Sequence, residues 1–457
     1  MTEPRFSSLP LSQAMLHNLK ELGFTGMTPI QAESLPHILN QRDIVAQAKT
    51  GSGKTAAFGI GLLHALDVRH YRIQSLVLCP TRELADQVAK ELRRLARAIH
   101  NVKVLTLTGG VAFGPQYGSL LHGAHIIVGT PGRVLKHLDK GYLCLDDLNT
   151  LVLDEADRML DMGFIEELER IIAHAPEKRQ TLLFSATYPD EILELSGSVQ
   201  REGIRIQTIS AEPANKIGEY FYQVAAGEKR AGLLAVIAHH APRNALVFCN
   251  TKLEVRKVAT ALAEAGIEAL ALHGDLEQYE RNEVLVRFSN ESCKVLVATD
   301  VAARGIDISE LALVVNYDLP KNPETYTHRI GRTARAGKEG VAVSLYNDDE
   351  DHRIITYRND SRFFGEVAEL DSAKAFTLGA ANGTLVVEAG KKDKMRPADL
   401  LGALTGEAEI PGEQVGRIDI FDRHSYVAID KAVIEQACDR LNRGRIKGRS
   451  LPVWILG

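Results

Sequence analysis

Ala48-Lys49-Thr50-Gly51-Ser52-Gly53-Lys54-Thr55 is the stretch on which the reading of this chain turns. A short apolar run, Asp43–Ala46, precedes it, and a stretch of helical period follows it. Strand, glycine-rich loop and helix in that order form a phosphate cradle. Glycines let backbone N–H groups close around phosphate oxygens, and the helix N-terminus adds its positive dipole. Lys54 can reach the outer phosphates of a nucleotide and Thr55 can hold Mg2+ through its hydroxyl. The first position is Ala48 where the general pattern has Gly.

Working outward, short runs rich in Val, Ile and Leu recur at Leu76–Cys79, Val102–Leu107, Ile126–Val128, Leu151–Leu153 and Thr181–Phe184. Continuous apolar strands separated by helical stretches are what a parallel sheet covered on both faces requires. Leu84, Val88, Leu92 and Leu95 place an amphipathic helix within Arg82–Ala98. The pattern pauses near Ala211–Gly218 and restarts. Ala245–Phe248, Ala269–Leu272, Val295–Ala298, Leu313–Val315 and Val341–Leu345 then read as a second parallel sheet, with helices at Lys252–Ala265 and Glu277–Phe288. Beyond a weakly patterned linker, Leu385–Val387, Val415–Ile420, Ser425–Ile429 and Leu451–Ile455 alternate by two, with helical patterns at Asp399–Leu404 and Lys431–Leu441. That order predicts a small four-stranded unit with one sheet face open. The fold class is α/β: two parallel-sheet domains in tandem, 1–210 and 211–365, a linker 366–381, and an α+β domain 382–457.

Length and composition agree, since 457 residues at roughly 150 per domain give about three domains. Hydrophobic residues at 45% and charged residues at 25% are those of a soluble globular chain. No apolar run approaches the roughly 18 residues that span a bilayer, so no membrane partner is expected. The cysteines (Cys79, Cys144, Cys249, Cys293, Cys438) are scattered and never spaced C-x-x-C, which points to a reducing cytoplasm and away from zinc or a disulfide framework. The net charge of -5 argues neither way about nucleic acid, but basic residues cluster at Lys391, Lys392, Lys394 and Arg396 and again from Arg440 to Arg449.

Asp154-Glu155-Ala156-Asp157 closes another strand. Acids at the carboxyl end of a parallel strand lie beside the phosphate loop, where ligands bind in open α/β sheets. Asp154 is thereby a candidate Mg2+ ligand, and Glu155 a candidate for orienting the attacking water. Loop and acidic strand end together predict hydrolysis of a nucleoside triphosphate in the first domain.

Read together, these blocks resemble the DEAD-box ATP-dependent RNA helicases, and the resemblance runs from about Phe6 to Tyr346. It implies RecA-like sheets, ATP with Mg2+, and an RNA partner. Thr28-Pro29-Ile30-Gln31 is similar to the family's adenine-reading segment, which would put Gln31 on the adenine edge and Phe6 near the ring. An amide carries the donor and acceptor that adenine N6 and N7 demand. Thr81 and Arg82, Gly109 and Gly110, and Thr130, Pro131 and Arg133 match blocks that face RNA. In the second domain Gln278, Arg281, Thr299 and Arg304 do so too. Ser185, Ala186 and Thr187 match the block coupling hydrolysis to strand separation, Asp307 the ribose contact, and Arg332 and Arg335 the arginines that reach the γ-phosphate. Ala334 stands where the family often has Gly.

The α+β segment resembles the RNA-recognition-motif-like domain of those family members devoted to ribosomal RNA. Lys391, Lys392, Lys394, Arg396 and Lys447 would carry recognition of a 23S rRNA hairpin in the large ribosomal subunit precursor. Val386 and Ala428 on its outer face leave Tyr426 as the clear stacking ring, so the basic loop is expected to matter more than the sheet. The resemblance implies a monomeric, RNA-dependent ATPase that opens short duplexes near that hairpin during subunit assembly. An ATP-locked RNA clamp is the alternative, opposed by the intact Lys54, Glu155 and Arg335. A translocating DNA helicase is opposed by Gln31.

Overall fold

The computed structural model describes residues 4–48, 51–187, 190–200, 202–207, 217–303, 311–334, 339–359, 361–370 and 378–457. Lys49, Thr50, Arg304, Asp307 and Arg335, named above, lie outside them. The chain divides into two compact units, of which the first is essentially 1–211 and the second holds the rest.

In the first unit the strands are β1 Ile44–Gln47, β2 Ser75–Leu78, β3 Val104–Leu107, β4 Ile126–Gly129, β5 Thr150–Asp154, β6 Gln180–Ser185 and β7 Ile204–Gln207. They lie in the order β3-β4-β2-β5-β6-β1-β7, and every pairing is parallel. Side chains of a strand alternate between faces, and both faces here are buried. Ile44, Ala46, Val77, Val128, Val152, Leu182 and Phe184 enter one core. Val45, Leu76, Leu78, Ile127, Leu151, Leu153 and Leu183 enter the other. This is why the strands read as unbroken apolar runs. The helix Arg82–Leu95 buries Leu84, Val88, Leu92 and Leu95, as its spacing requires, and Thr81 caps it by accepting from the Leu84 amide at 3.2 Å. Strand β7, at the sheet edge, was not visible in the sequence because only Ile206 of its four residues is buried.

The second unit opens with β8 Ile217–Gln223, β9 Ala245–Phe248, β10 Ala269–Leu272, β11 Val295–Ala298, β12 Leu313–Asn316, β13 Gly340–Tyr346 and β14 Phe363–Glu366. The order is β10-β11-β9-β12-β13-β8-β14, again all parallel. Strands β8 and β14 also escape an aliphatic pattern, since their packing is aromatic: Phe221 stacks on Phe364 at 4.8 Å and on Tyr357 and Tyr326 at 5.8 Å. The first of them begins where the sequence pattern resumes; 211–216 lie outside the described residues.

The last segment forms β15 Asn382–Val387, β16 Val415–Ile420, β17 Ser425–Asp430 and β18 Val453–Leu456, an antiparallel sheet in the order β16-β17-β15-β18. Leu385, Val387, Val427 and Ile429 face its core with Leu400, Ile434, Ala437 and Leu441 from the two helices. The opposite face, expected to be open, is not. Val286 of the helix Gln278–Ser289 packs against Val386 and Tyr426. Around this contact Asn290 Nδ2 donates to Thr384 Oγ1 at 3.0 Å, Ser292 Oγ meets the same hydroxyl at 2.6 Å, and Arg287 Nη1 donates to the Gly457 carbonyl at 2.7 Å. Lys431 pairs with Glu268 at 3.1 Å. The physical reason is the apolar character of Val386 and Tyr426: a face that gains by burial has found a partner within its own chain. Among the described residues no helix is long and apolar enough to cross a membrane.

Candidate functional site

In parallel sheets every strand ends on the same edge, so the loops that follow β1, β5 and β6 share one rim. Gly51 and Gly53 of the phosphate loop have φ of 83° and 95°, a conformation that disfavours side chains. A Cβ on Gly53 would also come within 2.5 Å of Gln31 Nε2. The loop is tied down on one side by Ala48 N, which donates to the Ser185 carbonyl at 3.0 Å. On the other side Gln31 Nε2 donates to the Gly53 carbonyl at 3.1 Å, and Gln31 Oε1 accepts from the Thr28 amide at 3.0 Å.

These two bonds leave the Gln31 amide one further N–H and one further lone pair. Gln31 is 1% exposed and is turned toward the phosphate loop, which it braces. Phe6 likewise sits in the core, its ring edge-on to Phe24 at 6.1 Å.

Lys54, Asp154 and Ser185 are all buried. Among the described residues Lys54 Nζ, Ser52 Oγ and Asp154 Oδ1 have no hydrogen-bond partner. Buried charged groups without partners are costly, and this set (an ammonium, a hydroxyl and a carboxylate at a glycine loop) fits a polyphosphate with its divalent cation. Thr55 lies in the first turn of the helix Lys54–His64, close to the loop. Burial pushes the Asp154 carboxyl up to about 6, with Glu155 adding to it and the Lys54 charge opposing. Glu155 itself has a left-handed backbone, φ 53° and ψ 53°, at the start of the helix Ala156–Asp161. A non-glycine residue held there is strained, as at many functional turns.

Asp157 had no assigned role in the sequence, and it has a specific one in the structure. Its Oδ2 accepts from the Ala186 amide at 3.2 Å, the Thr187 amide at 3.0 Å and Thr187 Oγ1 at 3.0 Å. The acidic strand end and the Ser185-Ala186-Thr187 block are thus joined directly.

The other half of the rim follows β2, β3 and β4, which are neighbours in the sheet. It brings Thr81 and Arg82, Gly109 and Gly110, and Thr130, Pro131 and Arg133 together. A Cβ on Gly109 would lie 3.0 Å from Arg82 Nη2, so the guanidinium rests on bare backbone. Arg133 donates twice to the Val111 carbonyl at 3.1 Å. Its pKa is lowered by burial and then by the Arg82 charge.

In the second unit Asn250, Thr299 and Asp300, and Asp318 follow β9, β11 and β12. Arg281 Nη2 donates to the Ala302 carbonyl at 2.6 Å, and Gln278 Nε2 donates to Asn282 at 3.1 Å. Arg332 is half-buried. Arg329, in the same block, is 1% exposed and bonds to Asn250, Asp300, Asn316 and Asp318.

On the last domain Lys391, Lys392, Lys394 and Arg396 are exposed. Their loop is pinned by Lys391 N and Lys392 N, which donate to the Phe421 and Asp422 carbonyls at 2.8 and 3.0 Å. Lys447, at the tip of a tight turn with Gly448, folds back on it. Its Nζ donates to the Lys394 carbonyl at 2.7 Å and to Asp399 at 3.0 Å. Lys447 therefore fastens the turn to the loop, and the two make one basic face. Tyr426 is 6% exposed beneath Val286, so the expected stacking ring is covered, whereas Trp454, which pairs with Val386 across the sheet, is 38% exposed.

Three family models match the chain: DEAD/DEAH box helicase at residues 28–195, helicase conserved C-terminal domain at 228–337, and DbpA RNA binding domain at 384–455. ATP-dependent RNA helicase DbpA of Escherichia coli is 52% identical over 99% of both chains. DEAD-box ATP-dependent RNA helicase CshA of Geobacillus kaustophilus is 44% identical over 76% of this chain and 74% of its own. Among solved structures, S. cerevisiae Dbp5 bound to RNA and ADP BeF3 matches at a TM-score of 0.71 and 29% identity, over 79% of this chain and 96% of that one. Mss116p bound to ssRNA and AMP-PNP matches at 0.70 and 26%, over 80% of each.

Proposed function

The chain belongs to the DEAD-box ATP-dependent RNA helicases and carries a DbpA-type RNA-binding domain, and from that premise we propose that it opens short RNA duplexes near a 23S rRNA hairpin during large ribosomal subunit assembly. The domains proposed for this work are 1–210, 211–365 and 382–457, acting as a monomer in the cytoplasm. One observation carries the reading: Lys54 Nζ, Ser52 Oγ and Asp154 Oδ1 are buried without partners among the described residues, at a loop where Gly53 leaves no room for a side chain.

ATP brings the phosphoanhydride bond, and Mg2+ would be held by Thr55 and Asp154. Lys54 neutralises the outer phosphates, and Glu155 orients the attacking water. Arg332 and Arg335 complete the charge balance from the second domain, and Asp307 meets the ribose. Gln31 reads adenine with the N–H and the lone pair that its bonds to Gly53 and Thr28 leave over. Asp157 carries the state of the acidic strand end to Ser185, Ala186 and Thr187. The RNA-facing loops of both sheets grip sugar and phosphate without reading sequence, and the basic face of the last domain selects the hairpin. The covered Tyr426 supports assigning that selection to Lys391, Lys392, Lys394 and Arg396.

The test is phosphate release and duplex opening measured in parallel with a 23S rRNA fragment carrying the hairpin, with unrelated RNA of equal length, and with DNA. Strong stimulation by the first alone is expected. Equal stimulation by all three would reject the rRNA reading, and RNA binding with no phosphate release would point to a clamp.

A further inference from the structure

Gln116 belongs to the helix Phe113–Leu121 and is 8% exposed. Its amide reaches two other segments, the loop after β3 and the helix Pro131–Asp139. Nε2 donates to the Thr108 carbonyl at 3.0 Å, while Oε1 accepts from Arg133 Nη1 at 2.7 Å and meets His137 Nε2 at 3.1 Å. Donation to Thr108 fixes which way the amide points. An amide oxygen can only accept, so His137 carries its proton on Nε2, and its Nδ1 is buried without a partner among the described residues. Phe113 stacks on the His137 ring at 4.0 Å and 9°, and Arg133 lies over the same phenyl ring at 5.6 Å.

The consequence is an arginine with little freedom. Both terminal nitrogens of Arg133 are committed on one side, to Gln116 and to the Val111 carbonyl. Arg82 rests nearby on Gly109, close enough for its charge to act on Arg133. Two guanidinium groups brought together repel, and an anion placed between them removes the cost.

We propose that Gln116 is a positioning residue for RNA: it aims the Arg133 guanidinium so that Arg133 and Arg82 close on one backbone phosphate. The proposal rests on the reading of Arg82 and Arg133 as RNA-facing, and it adds a residue that carries no charge and touches no RNA itself.

The test compares Gln116→Met, Arg133→Ala and the double variant in the full chain. Half-saturating RNA for ATPase stimulation, the rate at saturating RNA, the salt dependence of RNA binding and the melting temperature are measured for each. A hydrogen bond to a charged group is worth roughly tenfold or more in affinity. Gln116→Met should therefore raise half-saturating RNA about tenfold with the saturated rate unchanged. Each single variant should lower the salt slope by about 0.7, one phosphate contact on a single strand. The double variant should be no weaker than Arg133→Ala alone.

Multiplying effects in the double variant, or a lowered melting temperature with wild-type RNA affinity, would make Gln116 merely structural. If Arg133→Ala itself leaves RNA binding untouched, the RNA-facing reading fails first, and the proposal with it. His137→Phe keeps the ring stacked on Phe113 and leaves Gln116 to Arg133, so it should retain RNA affinity. A loss as large as that of Gln116→Met would show that packing, not aim, is at work.

Discussion

Replacing Arg329 should uncouple the strand ends of the second sheet. Its guanidinium is 1% exposed and spends all five donors. Nε and Nη2 reach the two Asp300 oxygens, each at 2.7 Å. Nη1 reaches Asn316 Oδ1 at 3.1 Å and the Asp318 carbonyl at 2.7 Å, and Nη2 also reaches Asn250 Oδ1 at 2.9 Å. The plane of the group lies over the Phe248 ring at 5.0 Å. Its acceptors come from the ends of β9, β11 and β12, and the end of β11 also holds Thr299, proposed above to face RNA. Arg329→Ala strands the Asp300 carboxylate, and breaking a buried pair costs about 3–5 kcal/mol. The lower end applies, because the Asp300 side chain keeps 24% of its exposure. At roughly 2–4 °C per kcal/mol for a domain of this size, the second unit should melt on the order of 10 °C lower. Arg329→Lys keeps the charge but not the planar fork, so it should fall between. Differential scanning calorimetry reads the shift, and RNA-stimulated ATPase should be lost in Arg329→Ala as Asn250 and Asp300 drift. A wild-type melting profile in Arg329→Ala would refute the reasoning. Wild-type stability in Arg329→Lys would show that charge alone suffices.

Three further outcomes are expected. Gly53→Ala puts a Cβ 2.5 Å from Gln31 Nε2 at a φ of 95°, so ATP affinity should fall at least tenfold, by about 1.4 kcal/mol or more, in a fluorescent-nucleotide titration. Asp157→Ala leaves the Ala186 and Thr187 donors without their acceptor, so duplex opening should fall further than phosphate release; equal losses would argue against coupling through Asp157. Burial lowers the His137 pKa from 6.5 to about 4. The unfolded chain then takes up the proton first, so this stability is complete above pH ~6.5 and is lost as pH falls toward ~4, by at most about 3 kcal/mol. Melting curves of His137→Phe should be flatter than wild type across that window.

The sequence yielded what is written locally and missed what is made by meeting. The phosphate loop needs only neighbouring residues, and the strands on both of its sides are apolar because both faces are buried. Gln116, Asp157 and Arg329 act through partners on other elements, and no spacing announces which donor will find which acceptor. Gln31 shows the same limit: nothing in its spacing says that its amide also braces the loop at Gly53. The covered sheet is the most instructive case. Alternation in β15 and β17 says that Val386 and Tyr426 share a face, but not what lies on it. The missing clue sat in the helix Gln278–Ser289, which buries both Val286 and Phe288. Residues two apart on a helix point about 200° from one another. A helix that buries apolar groups on opposite sides needs two partners, and the second sheet alone supplies one. The other had to come from a surface with apolar side chains to cover, and in this chain Val386 and Tyr426 provide it.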